Sequence, residues 1–97
     1  MSRSLIERRL TEVGDRLRVL REELRVVDEQ LAVLADAADD SGIRALVSET
    51  PLAAREHREA QRHADAMRRQ RSEVVAEVGR LEAAQDDLLD RLVAETR

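Results

Sequence analysis

The chain has 97 residues, of which 39% are charged, and it contains three Gly, one Pro and no Cys, Trp, Tyr or Phe. This length allows one small domain with a single core. The lack of aromatic residues and the scarcity of turn formers disfavour a β-sandwich or barrel, whereas the Ala-, Glu-, Arg- and Leu-rich composition is typical of long helices and coiled coils. The absence of Cys excludes disulfides and thiol chemistry.

The charge balance limits the classes of partner. All 17 basic residues are Arg, and the formal net charge of -4 disfavours coating of nucleic acid without regard to its sequence. No apolar stretch approaches the ~20 residues that a membrane span requires. Met1–Ser4 leads directly into a charged periodic segment and not into a signal peptide, so we expect a cytoplasmic protein without a membrane span.

The first predicted element is a long helix over about residues 4–38. Its apolar residues are spaced alternately by four and three positions, which is the heptad pattern of a left-handed coiled coil. The a positions carry Leu10, Leu17, Leu24 and Leu31, and the d positions carry Ile6, Val13, Leu20, Val27 and Leu34.

A second apolar stripe lies outside this seam. Leu5, Val19, Val26 and Val33 follow a seven-residue spacing at heptad position c, with Glu12 as the polar exception. Position c usually points away from the partner in a two-helix pair. The valines either widen the buried face or form a second contact surface, as in a four-helix assembly.

The apolar repeat ends after Leu34, and a turn over about residues 39–50 is predicted. Gly42 provides a stop signal for the first helix. Ser41 is expected to cap a short turn over Ile43–Val47 within this connection.

The second predicted helix covers about residues 51–96. Thr50 has the character of an N-cap, and Pro51 suits the first helical position, where its missing N–H is not needed. Because the connection is short, the two helices are expected to fold back on each other. The predicted fold is therefore all-α, one long antiparallel two-helix hairpin (a coiled coil) that forms a single domain over residues 1–97.

The seam of the second helix determines the predicted pairing. Arg71 and Gln85 interrupt its a positions, as polar residues that fix register commonly do. Folding about residues 45–46 pairs positions whose numbers add up to about 91, so that Leu24 faces Met67. In that register the end of the second helix extends past the start of the first and leaves an apolar base.

We expect a dimer that forms a four-helix bundle over part of its length, because one two-helix seam buries little surface for a chain of this size. The candidate interface combines the valine stripe with the apolar base. Its residues are Val19, Val26, Val33, Leu89, Leu92 and Val93.

No constellation of residues predicts catalysis. His57 and His63 are six positions apart on the second helix and do not share a face, so they are not a metal pair. No phosphate-binding loop, dinucleotide fingerprint or zinc signature occurs. The Arg-rich stretch 55–71 is interleaved with acids, which is typical of a salt-bridged helix surface. We therefore expect no enzyme activity, no cofactor and no metal, and nucleic acid is disfavoured as a partner.

The predicted turn is acidic. Asp36, Asp39, Asp40 and Glu49 lie within or beside it, either as a solvated loop that opposes aggregation or as an acidic probe for a partner. The hairpin layout, the acidic turn and the Ala-Arg-Glu-His stretch at Ala54–His57 resemble the coiled-coil arm of Gre-type transcript-cleavage factors. That resemblance implies an acidic tip presented to RNA polymerase, with Asp39 and Asp40 as candidate residues. The tip lacks that family's Gly-Asp-Leu-x-Glu-Asn pattern, and no globular C-terminal domain accompanies it.

As a whole the chain is similar to small helical-hairpin proteins of high-G+C Gram-positive bacteria, a resemblance that implies the fold and no activity. It has the length of a WXG100-type hairpin but not the Trp-x-Gly turn that defines that family. Two functions are compatible with these features. The first is a non-enzymatic protein-protein interaction module, an oligomeric scaffold or adaptor. The alternative is a transcription-associated regulator that presents an acidic tip to RNA polymerase.

Overall fold

The computed structural model describes residues Met1–Thr96 and contains two long α-helices, α1 (Arg3–Ser48) and α2 (Pro51–Glu95). Only Glu49 and Thr50 separate them. The predicted all-α helical hairpin is confirmed, and no β-strand occurs in this described range. Within the same range, neither helix has the continuous apolar length that crossing a membrane requires.

Helix α1 is longer than predicted, and the predicted turn over residues 39–50 is wrong. The helix continues through Gly42, which has no positive φ, and ends at Ser48. The heptad spacing continues in small residues, since Ala38 and Ser41 are buried seam positions. Ser41 therefore caps no turn. The sequence pattern misses these positions because small side chains give a weak hydrophobic signal. Gly42 does not end the helix, because tertiary packing stabilises a helix by more than one Gly destabilises it.

The connection between the helices depends on two backbone features. Glu49 has a φ of 53°, in the left-handed region, and its N–H donates to the carbonyl of Ala45 at 3.1 Å, which closes the last turn of α1. Thr50 Oγ1 accepts a hydrogen bond from the N–H of Ala53 at 3.1 Å. The predicted N-cap at Thr50 and the helix start at Pro51 are thereby confirmed.

The pairing of the helices differs from the predicted one by about a heptad. Ser41 Oγ lies 3.2 Å from His57 Nδ1, and Arg71 Nε lies 2.5 Å from Asp28 Oδ1. The residue numbers in these pairs add up to about 98, whereas the predicted register required about 91. Because the reversal lies at Glu49–Thr50, about four residues later than predicted, the register moves by about twice that number.

The chain forms two compact units, each with parts of both helices. The tip unit comprises Arg25–Glu73 and includes the connection. Arg71, which interrupts an a position of α2, is exposed and pairs with Asp28 of α1. The buried side chains of the tip unit are Val27, Ala38, Ser41 and Ala64.

The base unit comprises Met1–Leu24 and the described residues of α2 from Val74 onward. Two ion pairs flank its seam, Arg16–Glu77 at 3.1 Å and Arg21–Glu82 at 3.7 Å. These residues occupy the g and e positions of their heptads, where coiled coils form interhelical salt bridges. The buried side chains of the base unit are larger than those of the tip unit: Ile6, Leu17, Leu20, Val74 and Leu88.

The apolar base is smaller than the predicted register implied. Leu88 is buried and Leu92 is half-buried, so α1 begins early enough to cover them. Leu89 and Val93 are exposed because each lies one position beyond a seam residue, on the flank of α2. The predicted explanation, that α2 extends past the start of α1, is therefore wrong.

Candidate protein-binding surfaces

The valine stripe of α1 is exposed. Val19 lies on the surface of the base unit, and Val26 and Val33 lie on the surface of the tip unit, where Val33 is 69% exposed. The seven-residue spacing places Val26 and Val33 two helical turns apart on one side of α1. Their exposure contradicts the interpretation that the stripe widens the buried seam, and the second contact surface stays a prediction. Val26 and Val33 are called the valine face below.

A groove of about 450 Å³ adjoins the valine face. Met67 shares this groove with Leu34, whereas the predicted register placed it opposite Leu24. Glu29, which also borders the groove, is held by Arg25 at 2.6 Å and so brings no uncompensated charge. The residues that line the groove are Glu29, Gln30, Val33, Leu34 and Met67.

The predicted acidic residues are mostly outside the connection. Asp36, Asp39 and Asp40 belong to α1, where their spacing puts them within about one turn on one side, and only Glu49 lies between the helices. All four side chains are exposed, and none forms an ion pair within residues 1–96. The prediction of an acidic turn is therefore wrong for three of the four carboxylates, which instead lie along the side of α1.

The end of the hairpin carries an apolar cluster that sequence reasoning missed. Leu46 and Val47 are each 80% exposed, and Ile43 and Leu52 are each 62% exposed. These four residues are called the tip cluster below. The signal that identifies the tip cluster is a spacing of three and four residues between apolar positions on a helix face outside the seam. Interpreting Ile43–Val47 as a turn hides this signal.

A cavity of about 540 Å³ adjoins the tip cluster. Asp39 supplies the only carboxylate among its lining residues. Gly42 leaves room for the ring of His57, because a Cβ at Gly42 would lie 3.1 Å from His57 Cε1. Gly42 thus permits close packing across the two helices and does not end α1. The lining consists of Ala38, Asp39, Gly42, Ile43, Ala45, Leu46 and His57.

Ser41 and His57 form a hydrogen bond between the helices. Ser41 is 4% exposed, and its Oγ donates to the Ala38 carbonyl at 2.9 Å while lying 3.2 Å from His57 Nδ1. Which of the two groups donates in the bond between Ser41 Oγ and His57 Nδ1 depends on the tautomer of the ring. In either case the bond joins α1 to α2.

The other polar residues of the tip unit do not converge on a reaction centre. His63 borders a different cavity, together with Arg44, Glu56 and Glu59. In the part of the chain that the structure describes, no group of His, Asp and Glu side chains is suited to hold a metal ion. Within the Arg-rich stretch, Arg68 pairs with Asp65 at 2.9 Å, as expected of a salt-bridged surface.

No match to this chain is found among known protein families, among curated proteins or among solved structures. The tip unit itself offers two kinds of contact. One is an apolar groove beside the valine face, and the other is an apolar cluster accompanied by carboxylates at the end of the hairpin.

Proposed function

We propose that the protein is a non-enzymatic interaction module that pairs with a second copy of itself through the valine face and the adjoining groove. The observation that carries this proposal is the exposure of Val33 beside a groove that Leu34 and Met67 line. Contiguous exposed apolar surface with polar surroundings marks interaction sites in soluble proteins.

The small core of the tip unit supports the proposal. Its buried apolar side chains are one Val and two Ala, and burial contributes about 25 cal/mol per Å² of apolar surface, so these side chains contribute little. Long helices derive most of their stability from tertiary packing. A second hairpin covering Val33 and Met67 would add apolar burial and produce a four-helix bundle.

A two-fold symmetric pairing suits this surface. Each copy provides both an exposed Val33 and a groove, so a single symmetric contact satisfies both copies at once. The Arg25–Glu29 ion pair at 2.6 Å borders the groove on α1 and supplies the polar rim that such interfaces have.

Size-exclusion chromatography with light scattering at micromolar concentration tests this pairing. We expect a mass of about twice the 11.0 kDa of one chain. The double substitution Val26→Glu and Val33→Glu should give a monomer with unchanged helical circular dichroism, because unpaired carboxylates are costly to bury in an apolar interface.

The substitution Val75→Glu provides the matched control, since Val75 is an exposed valine of α2 in the base unit. It should leave the mass unchanged. A wild-type monomer at every concentration, or a dimer that survives both valine-face substitutions, would contradict the proposal.

We also propose, as a second candidate, a transcription-associated regulator that presents its carboxylates to RNA polymerase. The exposed, unpaired state of Asp36, Asp39 and Asp40 along α1 supports it. The substitutions Asp39→Asn and Asp40→Asn should then abolish co-purification with RNA polymerase while leaving the melting temperature equal or slightly higher. Unchanged co-purification, or none with the wild-type chain, removes this candidate.

A further inference from the structure

The tip cluster carries an inference beyond self-association. Ile43, Leu46 and Val47 share one face of the last two turns of α1, and Leu52 follows directly after the connection, in the first turn of α2. All four are exposed, so neither helix of the hairpin covers them. Isolated surface apolar residues are ordinary, but three exposed ones at a spacing of three and four on one helix face, with a fourth just after the connection, are typical of surfaces that bind partners.

The adjoining cavity is an open groove beside this patch. Its volume of about 540 Å³ falls within the range of about 300–1,000 Å³ that ligand-binding clefts occupy. Ile43 and Leu46 stand on one side of it, and the ring of His57 faces them from α2. The absence of a side chain at Gly42 brings that ring close to α1, so the cavity has a wall from each helix.

The charges around the patch limit what can occupy it. Asp39 lines the cavity, Asp40 and Glu49 lie nearby on the chain, and none of the three forms an ion pair within the described residues. The nearest basic side chain in sequence, Arg44, borders the other cavity instead, together with Glu56. The cavity therefore combines apolar walls with a carboxylate that forms no ion pair within the described residues, and none of its lining residues is an Arg.

This combination disfavours three occupants. Anionic lipid surfaces and nucleic acid phosphates would be repelled by the three carboxylates. The tip of a second copy carries the same carboxylates, and like charges brought together across an interface weaken association. A protein segment that presents an apolar side chain next to a cationic one complements both the apolar walls and the carboxylate of Asp39.

We propose that the tip cluster docks an amphipathic, basic segment of a partner protein, with an apolar side chain entering the cavity between Leu46 and His57 and a Lys or Arg placed against Asp39. The inference rests on the proposed function only in treating the chain as an interaction module, because the cavity it uses is lined by neither Val26 nor Val33. The partner is thus distinguished from a second copy of this chain by its positive charge.

Fluorescence anisotropy with two synthetic peptides tests the proposal on the full chain. The probe is a labelled amphipathic helix of Leu and Arg, and the reference is the same pattern with Glu in place of Arg. The basic peptide should bind, and the acidic peptide should not. The substitution Leu46→Glu should weaken binding by about tenfold or more, the loss typical of a central apolar contact.

The direction of that change is informative, because Leu46→Glu makes the tip more acidic. If the basic peptide were held by charge alone, the variant would bind it more tightly. Leu46→Met should retain binding, since the two side chains have similar volumes. Asp39→Asn should reduce affinity severalfold and make it less dependent on salt.

Three results of the peptide measurement would overturn the proposal. They are absence of binding by the basic peptide, equal binding by the two peptides, and unchanged binding by Leu46→Glu with its helical circular dichroism intact. Loss of a dimer on Leu46→Glu in light scattering would assign the tip to a second copy, and loss of sedimentation with anionic vesicles would assign it to a lipid surface. Both would also overturn it. The monomeric variant Val26→Glu/Val33→Glu should still bind the basic peptide, so failure at one surface is distinguishable from failure at the other.

Discussion

Gly14 and Gly79 lie in the interiors of long helices without using the freedom that glycine provides. Neither has a positive φ, and a Cβ at either position would have no heavy atom within 4 Å. Replacing either one by Ala should therefore raise the free energy of unfolding by about 0.5–1 kcal/mol, because Ala loses less backbone entropy on folding. Urea unfolding followed by circular dichroism at fixed protein concentration measures this gain.

At Gly42 the same substitution by Ala should not stabilise the protein. A Cβ there would lie 3.1 Å from His57 Cε1, so the ring must shift for Ala to fit. The gain in helix propensity should be offset or exceeded by that displacement. A stabilisation by Gly42→Ala as large as that by Gly14→Ala would contradict the close packing of His57 on α1.

The backbone of Glu49 has a conformation that residues with a Cβ rarely adopt. Its φ of 53° lies in the left-handed region, which costs a residue with a Cβ about 1 kcal/mol relative to Gly. Glu49→Gly should therefore stabilise the hairpin by about 1 kcal/mol in thermal or urea unfolding.

The charge of Glu49 also lies at the C-terminal end of α1, where the helix dipole disfavours a carboxylate by about 0.3–1 kcal/mol. Glu49→Ala separates the two effects, because it removes the charge and keeps the Cβ. If Ala and Gly raised the unfolding free energy equally, the charge and not the backbone would be responsible.

The end of α1 gives a direct test of where the chain reverses. The N–H of Glu49 donates to Ala45, and α1 continues to Ser48. Carbon-13 Cα shifts should therefore be helical without a break through Ser48, and the amides of Ile43–Ser48 should exchange more slowly than that of Thr50. Random-coil shifts beginning near Asp39 would restore the longer turn that the sequence indicates.

The part of the fold that could be predicted follows from local chemistry. The apolar heptads up to Leu34 require no knowledge of the partner helix, and Thr50 and Pro51 are start signals that act within one turn. Both the helical hairpin and the start of α2 were therefore accessible from the sequence.

The part that could not be predicted depends on contacts between distant residues. Ala38, Ser41 and Gly42 have the composition of a turn, and they belong to a helix because His57 fills the space that their small side chains leave. The register then shifts by about a heptad, and the residues of the tip cluster become helical and exposed. Because the reversal was predicted about four residues too early, Ile43, Leu46 and Val47 were assigned to a turn and not to an exposed helix face.

Apolar packing should contribute more to the stability of the hairpin than the ion pairs between the helices. The Arg16–Glu77, Arg21–Glu82 and Asp28–Arg71 pairs all have side chains that are more than a third exposed, so each contributes about a few tenths of a kcal/mol and less in salt. Raising NaCl from low to high concentration should lower the urea unfolding free energy by about 1 kcal/mol or less.

Leu17→Ala provides the comparison for this measurement, because Leu17 is fully buried and its truncation should cost about 2–5 kcal/mol. Protein concentration must be held fixed, since any dimer adds a concentration-dependent term. A salt effect as large as the loss caused by Leu17→Ala would show that the ion pairs, and not the seam, hold the helices together.

The two-residue connection also bears on whether two chains can exchange their arms. Short, strained hinges favour domain swapping, in which the hinge straightens and each arm packs on the other chain. Glu49, held at a φ of 53°, would be relieved by such an opening. Pro51 opposes it, because its ring disfavours the helical conformation at Thr50 and so prevents α1 and α2 from merging into one continuous rod. The single proline of the chain therefore acts against arm exchange and favours assemblies of closed hairpins.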